Sequence, residues 1–368
     1  MCRSDMLRAG LIGFPSSGKT ALFQLMTSAR EAPRPAGRQD ANVGVSRVPD
    51  ERLDRLTELF KPKKHTPATV EFADMGGTAG SKTGAAALLD VAPFRNADAL
   101  LHVVRMFRDP SVPHAAGSVD PARDVRTMEE ELILADLGVV ERRLERLERD
   151  LKKASGNAEL RKEQELLIAS RALLEEGKAL RTMELQPEDA RRLRGFQFLS
   201  SKPLLIVLNL DEGDLAEADR AVALAGVEEF VQGRHTRAVP ICAKIELEIA
   251  QLDAADAAAF MTDLGLHESG LDRVIRASYE LLGYISFFTV GEDENRAWSI
   301  PRGTHAQAAG GEIHTDIQRG FIRAEVVRYE HLLARGSIAA CRDHGELRLE
   351  GKDYIVLDGD VINFRHAT

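Results

Sequence analysis

The chain is 368 residues long, 44% hydrophobic and 5% aromatic, with a formal net charge of -9 at pH 7. That length accommodates two or three domains and a sizeable core, while the acidic balance excludes a protein held to nucleic acid by bulk charge and gives no reason to expect sequence-specific DNA binding. No apolar run reaches the length of a membrane-spanning helix, and the three cysteines, Cys2, Cys242 and Cys341, are spaced for neither a metal motif nor a disulfide framework, as in a reducing compartment.

Met1 to Arg8 mixes charged and apolar residues without a signal-peptide core, so we expect a cytoplasmic protein. Ala9 to Ile12 is a short apolar run that enters a glycine-rich turn, and Thr20 to Met26 continues with helical character. Between them, Gly13-Phe14-Pro15-Ser16-Ser17-Gly18-Lys19-Thr20 matches the phosphate-binding pattern G-x-x-x-x-G-K-[ST], with strand before and helix after. Glycine lets backbone N–H groups approach phosphate oxygens, and the helix N-terminus adds its positive end. Lys19 supplies an ammonium between the β- and γ-phosphates, and Thr20 a hydroxyl to Mg2+. Gly13, Ser16, Ser17, Gly18 and Ala21 complete the expected cradle.

Glu31 to Gln39 reads as a long loop. Lys61-Pro62-Lys63-Lys64-His65, the densest basic cluster, reads as a solvated loop in preference to an RNA contact. Val70 to Ala73 is a strand-length run ending in Asp74-Met75-Gly76-Gly77, where Asp74 would hold Mg2+ through water and the Gly77 N–H would face the γ-phosphate. Ala99 to Val104, Leu204 to Leu208 and Ala238 to Cys242 are further apolar strands, and together they predict an α/β fold with a mostly parallel sheet covered on both faces. From Val125 to Arg194 the pattern changes. Ile133, Leu137, Val140, Leu144, Leu147 and Leu151 recur at helical spacing among charges, Ala154 to Asn157 looks like a tip, and Leu160 to Leu180 like a returning helix. We expect an inserted antiparallel helical arm. Asn209-Leu210-Asp211-Glu212 follows a strand where guanine-specific proteins carry N-K-x-D. Glu212 is longer by a methylene and Leu210 offers apolar cover in place of a cation, which suits adenine. Cys242-Ala243-Lys244 takes the place of a second base loop.

Beyond Ser286 short β-like segments follow: Phe287 to Val290, Ala297 to Ile300, Phe321 to Val327 and Tyr354 to Val356, with a turn signal at Asp358-Gly359-Asp360. Trp298 and His314 read as structural there, and Cys242 as lining of the base pocket.

These motifs resemble the YchF branch of the Obg-related P-loop NTPases. The similarity runs nearly end to end, through Asn42-Val43-Gly44-Val45, His102-Val103-Val104-Arg105, Ala135-Asp136-Leu137, Arg296-Ala297-Trp298, Ile313-His314-Thr315-Asp316 and Glu350-Gly351-Lys352-Asp353-Tyr354. The resemblance implies a nucleotide-binding (G) domain at 1–125 and 200–283, a helical coiled-coil arm at 126–199 and a β-rich TGS domain at 284–368. It also implies ATP bound in preference to GTP, and association with the ribosome or a ribosomal subunit through the TGS and helical domains. The nucleotide-binding set would be Gly13, Ser16, Ser17, Gly18, Lys19, Thr20, Ala21, Asn209, Leu210, Glu212, Cys242 and Ala243, with Lys19 and Gly77 acting on the transferred phosphoryl group and Thr20 and Asp74 on Mg2+. The switch regions depart from the pattern. Ser16 replaces a P-loop asparagine, Arg38 aligns with the switch threonine, Thr78 follows the D-x-x-G, and Ala85-Ala86-Ala87-Leu88-Leu89 replaces a glycine-rich stretch. No general base is identifiable, so hydrolysis by positioning and magnesium alone is expected to be slow. A nucleotide sensor that does not hydrolyse, or a GTPase, are the alternatives.

Overall fold

The computed structural model describes residues 8–28, 43–73, 91–153, 157–233 and 235–367. The chain lays down β1 (Arg8–Ile12), α1 (Lys19–Ser28), β2 (Val43–Arg47), α2 (Glu51–Phe60), β3 (Lys64–Thr66), β4 (Thr69–Ala73) and β5 (Ala99–Arg105). Next come α3 (Pro121–Lys153), α4 (Ala158–Glu175), α5 (Pro187–Arg194), β6 (Leu204–Asn209), α6 (Ala221–Leu224), β7 (Thr236–Ile241), α7 (Ala243–Ile249), α8 (Ala254–Asp263) and α9 (Gly270–Leu281). The C-terminal region holds β8 (Tyr284–Thr289), β9 (Glu294–Pro301), α10 (Ala306–Ile313), α11 (Thr315–Arg319), β10 (Phe321–Arg328), α12 (Tyr329–Arg335), α13 (Ile338–Asp343), β11 (Arg348–Glu350) and β12 (Asp360–His366).

The first sheet has the order β2-β4-β1-β5-β6-β7 and is parallel except for β2, which runs antiparallel to β4. β5 and β6 are buried along their whole length, as strands covered on both faces must be, and so they read as unbroken apolar runs. On one face α1 and α9 pack Leu22, Leu25, Val274 and Ile275 against Leu101, Val103, Leu205 and Val207. On the other the first turns of α3 bring Val125, Met128 and Leu132 onto Leu100, Val104, Ile206 and Leu208.

Beyond Leu132, α3 leaves the sheet and pairs with α4, burying Val140, Leu144 and Leu147 against Leu166, Leu167 and Leu174. The base of this hairpin is fixed by Asp136, which is fully buried. Its carboxylate accepts from Leu199 N (3.0 Å), Ser200 N (2.7 Å) and Ser200 Oγ (2.8 Å) and pairs with Arg95 (3.2 Å). Glu129 pairs with Arg181 beside it. The returning helix stops at Glu175, short of the expected Leu180: Gly177 takes φ 73 and its N–H turns back to Leu174 O, ending the helix in the left-handed region that glycine occupies freely.

The second sheet, β11-β10-β12-β8-β9-β3, contains a strand from the first half of the chain. β3 pairs in parallel with β9, Lys64 to Thr66 against Glu294 to Arg296. The basic cluster is solvated as expected, but it runs from a loop into a strand: Lys63 pairs with Asp293 (2.8 Å), Lys64 with Glu294 (2.8 Å) and His65 with Asp54 (3.5 Å), the three basic side chains all exposed. Its cations complement acidic residues of the β8–β9 hairpin. Arg52, in the first turn of α2, stands between Asp50 (2.8 Å) and Asp358 (2.9 Å) and over the Phe288 ring (5.3 Å). Leu53 and Leu56 share one core with Phe288, Val327, Leu332 and Val361. The other face of this sheet packs Phe287, Val326, Ile362 and Phe364 against Ala306 and Ala309. Tyr354 to Val356 makes only an isolated bridge, Ile355 to His305; the last strand is β12, which pairs antiparallel with β10. The Tyr354 hydroxyl donates to Asp360 and accepts from Arg348, which ties the segment to the start of β12 and to β11 through side chains and not through a backbone ladder. Trp298 packs on Phe287 under Arg296, and the His314 ring accepts from Asp316 N at the start of α11, both structural placements.

Candidate nucleotide-binding site

The site lies at the C-terminal ends of β1, β5, β6 and β7, where parallel sheets of this kind hold their ligands. β1 ends at Ile12 and the chain turns through Gly13 (φ 148), Ser16 (φ 63) and Gly18 (φ 100) into α1. A Cβ on Gly13 would press on the Val103 carbonyl oxygen, and one on Gly18 would collide with the Asn209 amide nitrogen, so both positions need glycine for space as well as for dihedral angle. Ser16 holds a left-handed conformation that asparagine, the residue of the resembling pattern, adopts at lower cost. Lys19 Nζ donates to the carbonyls of Gly13 (2.9 Å) and Phe14 (2.7 Å), which folds the ammonium over the turn. Thr20, next in α1, is exposed, and Ala21 half-buried behind it. Ser17 is 2% exposed with its hydroxyl turned inward, so its contribution to a phosphate cradle is confined to the backbone.

Asn209 ties this cradle to the base loops. Its Nδ2 donates to Ser17 O (3.0 Å) and its Oδ1 accepts from Ala243 N (3.1 Å). The alternation of β6 then decides the next residue. Asn209 faces the cradle, so Leu210 faces the opposite side, where it is 3% exposed in the core with Leu208 and Ile206. The expectation that Leu210 covers a base is corrected accordingly: it is a core residue. Asp211 accepts from Glu212 N (2.8 Å) and Arg108 N (3.1 Å), fixing two loops together. The Glu212 side chain is half exposed, and its Oε2 accepts from Lys244 Nζ at 3.0 Å. Cys242 caps α7 in a buried position, and burial pushes its thiol up from the ordinary range. Asp74, Gly77, Arg38, Thr78 and residues 85–89 lie outside the described residues.

Three further side chains lie near the site without having been assigned to it from the sequence. His102, in the centre of β5 and in register with Ile12, is fully buried with neither ring nitrogen hydrogen-bonded. Burial, reinforced by the Lys19 charge, pushes it down to about 3 and keeps it neutral. The sequence signal is a lone histidine inside an apolar strand. Arg105, 3% exposed at the end of β5, lies over the Phe107 ring (4.4 Å) and donates to the Phe107 and Asp109 carbonyls. His114 pairs with Asp124 at 2.9 Å, both side chains 4% exposed, holding the loop after β5 against α3.

Among the described residues no cluster of three or more His, Cys, Asp or Glu could hold a metal. The Thr20 hydroxyl and the Asp74 carboxylate are oxygen donors only, a set that fits Mg2+ completed by phosphate oxygens and water.

Comparison with known proteins gives consistent results. Residues 284–367 match the family YchF-GTPase C, described as a protein of unknown function. The ribosome-binding ATPase YchF of Bacillus subtilis is 42% identical over 363 residues, covering 98% of this chain and 99% of that protein. The protein of the same name from Pasteurella multocida is 39% identical over 364 residues, covering 97% and 98%. The structure of the Schizosaccharomyces pombe YchF GTPase superposes with a TM-score of 0.82 at 28% identity, covering 98% of this chain and 97% of that one.

Proposed function

The chain belongs to the YchF family of P-loop NTPases, and from that premise we propose that it binds ATP in preference to GTP, hydrolyses it slowly, and uses the bound nucleotide to set its association with the ribosome. The observation that carries the reading is the placement of Asn209, which couples a complete phosphate loop to a base loop ending in Glu212 instead of aspartate. In this reading Gly13, Ser16, Ser17, Gly18, Lys19, Thr20 and Ala21 wrap the phosphates, mainly through backbone N–H groups. Lys19 leaves the Gly13 and Phe14 carbonyls for the β- and γ-phosphates. Thr20 and Asp74 would hold Mg2+, which supplies charge neutralisation across the phosphates. The Gly77 N–H would face the γ-phosphate, and Cys242 and Ala243 would back the base. The proposed division is 1–125 with 200–283 as the nucleotide-binding domain, 126–199 as the helical arm and 284–368 as a TGS domain, with the last two meeting the ribosome.

Guanine presents two donors, N1–H and the 2-amino group, in one plane, and a short aspartate meets both. Glu212 is longer by one methylene, and its shifted carboxylate suits the single exocyclic amine of adenine. The mispaired guanine edge would cost on the order of 1–3 kcal/mol, about ten- to a hundredfold in affinity. Steady-state hydrolysis of ATP and GTP side by side, with competition binding against a fluorescent nucleotide, tests this reading. ATP should bind more tightly and turn over slowly, and equal or tighter GTP binding would move the GTPase reading to first place. Nucleotide binding with no turnover above background would favour the sensor reading, which the replacements at Arg38 and Thr78 support. Co-sedimentation with ribosomes that differs between the ATP-bound and the nucleotide-free protein completes the test, and equal co-sedimentation would remove nucleotide control from the reading.

A further inference from the structure

We propose that Lys244 is a specificity-determining residue, whose ammonium engages one oxygen of the Glu212 carboxylate and leaves the pocket a single strong acceptor for the purine edge. The proposal rests on the base-loop reading above. The two side chains are 32 residues apart in sequence, Glu212 just beyond β6 and Lys244 in the first turn of α7 after the neighbouring parallel strand β7, and they meet at 3.0 Å. Asp211 fixes the backbone on the Glu212 side and Asn209 on the Lys244 side, so the pair is set by two anchored loops rather than by two wandering chains. The hydrogen bond from Lys244 reaches Oε2, and the Glu212 carboxylate in turn holds the ammonium more firmly protonated than usual.

The chemistry of the two purines makes this pairing selective. A carboxylate with both oxygens available can accept the parallel N1–H and 2-amino donors of guanine as a bidentate pair. With one lone pair of Oε2 engaged by the Lys244 ammonium and part of its charge offset, Oε1 is the stronger acceptor and Oε2 the weaker. One strong acceptor matches the one exocyclic amine of adenine and leaves a second guanine donor without an equal partner. The pair is exposed in the free protein and contributes little to stability. Its effect comes when a base excludes water from the loops, and it acts on the difference between ligands rather than on the fold.

The test is competition binding on the full-length protein with ATP, GTP and inosine triphosphate, which carries the N1–H of guanine without its 2-amino group. The parent should bind inosine triphosphate more tightly than GTP, because the 2-amino donor of guanine is left without a strong acceptor and inosine has no such group. Lys244→Met, which keeps the apolar stem, should strengthen GTP by about three- to tenfold relative to both ATP and inosine triphosphate. Lys244→Arg should behave as the parent. A general loss of order in the loop would weaken all three nucleotides together and leave their ratios unmoved, which counts against the proposal, as does GTP weakening relative to ATP in Lys244→Met. Glu212→Ala separates the two levels. If it changes the ATP-to-GTP ratio while Lys244→Met does not, the inference falls and the base-loop reading stands; if neither variant changes the ratio, the base-loop reading itself falls.

Discussion

Lys19 contacts the Gly13 and Phe14 carbonyls of its own loop and is only half-buried, so its side chain serves the ligand more than the fold. Lys19→Ala should leave the thermal unfolding profile intact and weaken ATP by at least about a hundredfold in calorimetry, the worth of a charge-assisted contact to phosphate in a shielded loop. Retained micromolar binding would dismiss the phosphate-site assignment. His102 makes a different demand. Its folded-state value of about 3 lies below the ordinary 6.5, so the unfolded chain takes up a proton that the native protein refuses. Stability contributed by the neutral ring is therefore complete above pH 6.5 and is lost as pH falls towards 3, by up to about 1.4 kcal/mol per pH unit. Between pH 7 and pH 5 the parent should lose about 2 kcal/mol more in urea unfolding than His102→Met does. Equal losses in the two proteins would place the titration elsewhere.

At the level of elements, the hairpin of α3 and α4 depends on one buried carboxylate. Asp136→Asn keeps the shape but turns an acceptor into a donor against Leu199 N, Ser200 N or Ser200 Oγ. It should cost about 2–4 kcal/mol and raise hydrogen exchange at the Leu199 and Ser200 amides; exchange unchanged at those two amides would mean the hairpin base is held by other groups. What was legible from sequence divides along the same line between local and distant partners. The phosphate loop, the strands β1, β4, β5, β6 and β7 and the heptad-like seam of α3 are written in contiguous residues. Asn209 could be placed because it follows a strand, but the side to which Leu210 turns depends on the pleat of β6, and Lys244 meets Glu212 only when two strands lie side by side. β3 was invisible for a related reason: Lys64-His65-Thr66 has no apolar alternation, and its partner strand belongs to the far end of the chain. β12 was missed because Tyr354 to Val356 carries a stronger β pattern than the position of the ladder warrants.

For the whole molecule, the decisive feature is that the two sheets are fastened to each other through α2 and β3. The strand β2 leads directly through Asp50 into α2, so the clamp of Arg52 between Asp50 and Asp358 connects the edge of the nucleotide-binding sheet with the turn before β12. A double-mutant cycle with Arg52→Ala and Asp358→Ala should give a coupling energy of about 0.5–1 kcal/mol, read from urea unfolding of the full chain. Additive losses would show that the clamp is two independent surface contacts. The same fastening constrains how the protein can be made. Thr66 finds Glu294 across 228 residues and Lys63 finds Asp293 across 230, so a chain growing from its N-terminus exposes β3 and the Leu53–Leu56 face of α2 long before their partners exist. The first sheet can assemble during synthesis, but closure of this seam waits for nearly the full length of the chain, a late, non-local step during which the nascent protein presents an unpaired strand edge and an uncovered apolar stripe.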